Sequence, residues 1–78
     1  NPVSDRADIM VDITRPQKVT VDLFDISGRH IERIADEKIA SGQKLFQITN
    51  DANREGLYYL CIRLQEGTFY EKIVFVKH

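Results

Sequence analysis

Residues 56–64 read Gly-Leu-Tyr-Tyr-Leu-Cys-Ile-Arg-Leu, and this stretch decides the fold. Tyr58, Leu60, Ile62 and Leu64 fall at every second position, with Leu57, Tyr59, Cys61 and Arg63 between them. A period of two sends alternate side chains to opposite faces of an extended chain, whereas a helix needs a period of 3.6. Since both faces are largely apolar, the stretch reads as a strand that is central or covered on both sides. Glu66-Gly67 follows as a hairpin turn. Phe69–Val76 then returns, with Ile73 and Phe75 on one face and Val74 and Val76 on the other.

The same period extends toward the N-terminus. Ile9, Val11 and Ile13 alternate with Asp8, Met10 and Asp12, a strand with one buried face that Pro16 stops for want of an N–H. Val19, Val21 and Leu23 repeat the alternation, and Ser27-Gly28 supplies a tight turn, so a hairpin is expected at Lys18–Ala35. Ile31–Lys38 could pass locally for a helix, but it is assigned to strands. Ile39 forms a short segment ending at Ser41-Gly42, and Gln43–Thr49 is a further strand with Leu45, Phe46 and Ile48 as apolar members. The expectation is an all-β, immunoglobulin-like antiparallel β-sandwich of about seven strands, with turns roughly every 8–12 residues. Gly42, Gly56 and Gly67 join Gly28 as structural turn positions.

A chain of 78 residues is one domain at most, and at this size only about 60–65% of the unfolded surface is buried, leaving little room for a deep cleft. With 42% hydrophobic and 29% charged residues the composition is that of a globular chain. Eleven Lys and Arg against twelve Asp and Glu are scattered singly, without the concentrated positive face that phosphate binding needs. No run of about 20 apolar residues could span a bilayer. The start at Asn1-Pro2, without methionine, reads as a piece of a longer protein, with any export signal upstream.

No catalytic constellation emerges. His30 and His78 are the only imidazoles, and His78 is the last residue, a poor place to hold geometry to about 0.5 Å. His30 reads as a solvated strand-edge residue. Asp8, Asp12 and Asp22 lie on polar strand faces and read as solvated charge rather than as a paired-carboxylate site; Asp5 and Asp25 offer no better pairing. Asp51-Ala52-Asn53-Arg54-Glu55-Gly56 imitates the opening of a calcium loop, yet the bidentate acid would fall on Ile62, so these side chains are expected to cap their own turn. Cys61 cannot form an internal disulfide and reads as a small apolar residue. Tyr58 is expected in the core, and some of Tyr59, Phe69 and Tyr70 exposed at an edge. No metal or cofactor is expected, and the chain is not expected to be an enzyme.

The order of motifs resembles one family. Asn1-Pro2, then Val19-Thr20-Val21-Asp22-Leu23-Phe24-Asp25 running into Ile26-Ser27-Gly28-Arg29, is similar to the start of the type IX secretion system C-terminal sorting domain. Ala40-Ser41-Gly42-Gln43, Glu55-Gly56-Leu57-Tyr58-Tyr59-Leu60 and the closing Lys72-Ile73-Val74-Phe75-Val76-Lys77 resemble its later motifs in order. His78 after the final Lys, Leu57 for the usual Val or Ile, and Thr49-Asn50-Asp51 in place of an aromatic-plus-Asp pattern depart from it. The resemblance implies a Bacteroidetes cargo protein, with residues 1–6 a linker remnant and 7–78 the sorting domain. That domain would be read by the type IX translocon and an outer-membrane shuttle protein. It also implies passage through the periplasm to the outer membrane, cell surface or exterior, removal of the domain by a sortase-like surface protease, and attachment of the cargo to the surface. Recognition is expected at Gly28 and Arg29 and along Lys72, Ile73, Val74, Phe75, Val76 and Lys77, by strand addition if the last strand lies at an edge. If that strand is buried core instead, its apolar residues serve packing alone. The rival reading is an extracellular adhesion or carbohydrate-binding sandwich, for which coplanar exposed aromatics or a calcium site would speak; the chain has no Trp.

Overall fold

A computed structural model of the chain describes the backbone of Pro2 and Val3 together with residues 6–76. The described residues form strands and turns with no helix: β1 (Pro2–Val3), β2 (Arg6–Ile13), β3 (Gln17–Asp25), β4 (His30–Ile39), β5 (Gly42–Thr49), β6 (Gly56–Leu64) and β7 (Gly67–Phe75). The five-stranded sheet has the order β1-β7-β6-β3-β4, and β2 pairs with β5 in a second sheet. All pairings are antiparallel except that of β1 with β7. The expected all-β sandwich is thus what the chain forms.

Six strands of eight or more residues carry the fold among the described residues, rather than seven. The return strand beginning near Ile31 and the separate segment at Ile39 are one continuous ten-residue strand, β4. Its hairpin with β3 spans Gln17 to Ile39, longer than the expected Lys18–Ala35, and its register slips twice, at Val21/Asp22 and Leu23/Phe24. Pro2–Val3, inside the segment expected as linker, lie parallel to β7 against Val74 and Phe75.

Alternation decides what each strand buries. Val19, Val21 and Leu23 of β3, Leu60 and Ile62 of β6, and Ile73 and Phe75 of β7 point inward from the large sheet. Ile13, Phe46 and Ile48 meet them from the small sheet. Tyr58 packs its ring edge against Phe75, with centroids 5.3 Å apart. At one end the β2–β3 and β6–β7 turns are tied together: Thr14 Oγ1 donates to Glu66 Oε2 at 2.8 Å, and the Gln65 amide donates to Gln17 Oε1 at 2.6 Å. Gln17, though polar, is buried and spends its amide group on these turns.

The two sheets meet differently along their two open sides. On one, β5 approaches β4, where Lys44 pairs Glu37 at 3.4 Å; nearby, Arg54 pairs Glu32 of β4 at 2.9 Å. On the other, β2 faces β7 across a gap.

Candidate recognition surface

The register aligns side chains in rows across the outer face of the large sheet. One row runs His30, Phe24, Tyr59, Lys72, and the next Arg33, Asp22, Cys61, Tyr70. Among the described residues no second layer packs on this face. Its side chains therefore shield one another: Cys61 is buried while its neighbour Tyr70 stands out into solvent. Phe24, Gly28, Tyr59, Cys61, Arg63 and Tyr70 line a shallow hollow of about 300 Å³ there.

Asp22 corrects the reading of it as a solvated charge: it is only 1% exposed. β3 lies between β4 and β6, so an outward side chain at its middle is boxed in laterally even where nothing covers the sheet. Arg33 Nε donates to Asp22 Oδ1 at 2.9 Å and Arg33 Nη2 to Oδ2 at 3.2 Å, a two-pronged pair that suits the planar guanidinium. His30 Nε2 lies 2.8 Å from the same Oδ1, and its ring meets Phe24 edge-on at 5.3 Å. His30 is thus held in a network rather than merely solvated. Burial pushes the Asp22 carboxyl up, but the hydrogen bonds from Arg33 and His30 and their charges outweigh it and hold the pKa below its ordinary value. The hydrogen bond and charge of Asp22 in turn raise that of Arg33.

Gly28 and Arg29 occupy the β3–β4 turn. Asp25 Oδ1 braces it, accepting from the Ser27 amide at 3.0 Å, the Ser27 hydroxyl at 2.6 Å and the Arg29 amide at 3.0 Å. These bonds, the Ser27 hydroxyl first, lower the Asp25 pKa. The turn carries Gly28 at φ +89°, a left-handed conformation that a side chain strains. The Arg29 guanidinium rests 3.3 Å from Asp25 Oδ2 yet is 78% exposed, so the pairing leaves it accessible.

The last strand is at once edge and core. β7 has β6 on one side and, among the described residues, only Pro2–Val3 on the other, so its edge is unpaired over Gly67–Ile73. Ile73 and Phe75 nevertheless point into the core, Val74 is half-buried, and Lys72 projects beside Tyr59 on the outer face. Val76 lies beyond the strand and is exposed. Lys77, the remaining residue expected to be recognised, lies outside the described residues, as do Asn1 and His78. Row order brings Lys72 onto the same face as the Gly28 turn, which the sequence did not link; Phe24 and Tyr59 lie between them. Gly42 and Gly56 open β5 and β6, and Gly67 opens β7.

The loop that imitated a calcium site is closed on itself. Asn50 Oδ1 accepts from the Arg54 amide at 2.8 Å, Asn50 Nδ2 donates to the Arg54 carbonyl at 2.9 Å, and Asp51 Oδ2 accepts from the Thr49 hydroxyl at 2.9 Å. Asn50 and Asp51 are thus engaged within the turn, and Arg54 is paired to Glu32 of β4.

Residues 1–77 match the model of a protein family described as secretion system C-terminal sorting domain. No curated protein and no solved structure matches the chain.

Proposed function

The chain belongs to the secretion system C-terminal sorting domain family, the sorting signal of type IX secretion, and from that premise we propose that it works by being bound, without catalysis of its own. The observation that carries this reading is the family match over 77 of the 78 residues, supported by a fold whose last strand keeps its edge free. Such a signal implies export of an attached cargo across the outer membrane to the cell surface or beyond. In the fuller reading, the cargo crosses the periplasm first. The translocon and an outer-membrane shuttle protein then bind the Gly28-Arg29 turn and the Lys72–Lys77 strand, and a sortase-like surface protease removes the domain as the cargo is attached. An exposed guanidinium at Arg29 and a β7 edge that, among the described residues, stays unpaired up to Ile73 suit those roles, since edges recruit strands and cations steer encounter.

The test is export of a reporter carrying an N-terminal export signal and residues 1–78 at its C-terminus, in a type IX-competent bacterium and in a translocon-deficient strain. Removal of residues 76–78, and Arg29→Ala with Lys72→Glu, spare Ile73 and Phe75 and so leave the core intact. Export that needs the translocon and falls with these changes supports the reading. A reporter held in the periplasm of both strains overturns it, and export untouched by the changes moves recognition elsewhere on the domain.

A further inference from the structure

The side of the sandwich between β2 and β7 is built like a slot for one more strand. β2 pairs only with β5, and the β7 edge is unpaired over Gly67–Ile73, among the described residues. Between them lies a gap of about 400 Å³ floored by Ile9, Val11, Ile62 and Leu64. At its lips Met10 and Phe69 are 55% and 53% exposed, large apolar side chains that nothing in the described chain covers. The opposite side of the sandwich is closed by Lys44–Glu37, so the gap is a feature of one side and not of the architecture.

Two further observations say what fits. β1 already adds to the β7 edge, parallel, with Pro2 against Val74 and Val3 against Phe75, so this edge accepts a strand in that direction and offers its remaining length in line with it. The rim is acidic: Asp12, Glu66 and Glu71 border the gap, and none of them forms an ion pair among the described residues. Glu71 pairs across from the buried Leu60 and so points toward the gap, as an inward-facing charge on an edge strand. Covering such a charge with an all-apolar strand would strip its hydration, and a second copy of the same edge would set acid against acid.

We propose that this slot takes an extended partner segment, added parallel to β7 in line with β1, whose inward face is apolar except for one basic residue. Its apolar side chains lie over Phe69 and the floor, and a Lys or Arg meets Glu71. That the partner belongs to the secretion machinery rests on the sorting reading; the slot and its chemistry do not.

Labelled residues 1–78 are titrated with the heptapeptide Val-Thr-Val-Thr-Lys-Thr-Val, which sets Val opposite Phe69 and Ile73 and Lys opposite Glu71, its Glu-for-Lys counterpart and a scrambled peptide of the same composition, followed by NMR and amide exchange. The Lys-containing peptide is expected to shift the Ile9 and Val11 methyls and slow exchange along Gly67–Glu71. Its affinity is expected to fall about fivefold or more in Glu71→Lys, which in turn gains affinity for the Glu peptide. Equal binding of all three peptides, protection on the Lys38–Ile39 edge instead, or dimerisation of the chain through the slot in sedimentation overturns the proposal. The reporter assay separates the two readings: peptide binding without export retires the sorting role and keeps the slot, while export without peptide binding does the reverse.

Discussion

Two acids of the large sheet contrast its centre with its rim. Asp22 on β3 points outward, to the face with no second layer, yet it is buried and satisfied by Arg33 and His30. Glu71 on β7 points inward, across from Leu60, yet it is exposed and forms no ion pair among the described residues. Alternation alone would assign them the opposite environments. What decides is lateral position: at the middle of a five-stranded sheet flanking side chains close over an outward group, and at an edge even an inward group escapes to water. The centre has therefore spent its polar groups on structure, while at the rim Glu71 stays available for binding.

The largest effect that sharpens this contrast is Leu60→Ala. Leu60 is fully buried, and emptying such a site costs about 2–5 kcal/mol. A domain of this size holds only about 4–12 kcal/mol, so urea titration followed by far-ultraviolet circular dichroism should show a transition at much lower denaturant or none. A midpoint unchanged within error would mean that β6 is not the centre of the fold.

Next comes Asp22→Asn, which keeps the shape and removes the charge that Arg33 and His30 meet. The expected cost is about 1–3 kcal/mol, the range for a hydrogen bond to a charged group. The sign with pH follows from the lowered pKa. The carboxylate's contribution is complete above its unfolded value of about 3.9 and is lost as pH falls through the lower folded value, because the unfolded chain then binds the proton more readily. Denaturant titrations from pH 7 to pH 2 should therefore converge for the two proteins below pH 4. Parallel curves throughout would break the claim that the buried carboxylate is ionised.

Smaller again is Gly28→Ala. A Cβ there meets nothing within 4 Å, so the cost is conformational only, from φ +89°. About 1 kcal/mol is expected, or about 4–8 °C in a thermal melt of a domain this small.

How much of this could be read from the residues follows the same division. Which strand residues face the core was legible wherever period two held, as in Val19, Val21, Leu23 and Leu60, Ile62. β4 was divided, its hairpin ended at Ala35 and Ile39 set apart, because Ile31–Lys38 does not keep period two, while a strand at the sheet's edge tolerates charge on its open side. The register slips at Val21/Asp22 and Leu23/Phe24 also shift its phase, so that Ile34 and Ala35 in succession are both half-buried. Asp22 was misread because strand order is a property of long-range pairing that no local pattern carries. One sign was present: an acid flanked by buried Val21 and Leu23, with His30 and Arg33 just across the hairpin. Of the proposed recognition residues, the turn and the last strand came from motif resemblance, and their placement on one face needed the register.

An effect on stability no larger than that of Gly28→Ala tests the rim most directly. Phe69→Ser removes a large apolar side chain, a change that in the core would cost several kcal/mol. At 53% exposure on an edge strand it buries about half of what a core Phe does, so the cost should be about 1 kcal/mol, well below that of Leu60→Ala, while the basic heptapeptide loses most of its affinity because the cover it provides for Phe69 is gone. A loss of stability comparable to that of Leu60→Ala would place Phe69 in the core and erase the distinction between centre and rim. Unchanged stability with unchanged peptide binding would leave the distinction standing and move the binding edge away from β7. The separation of the two readouts is the point: a side chain kept for a partner costs the fold little when it is removed, and costs the complex a great deal.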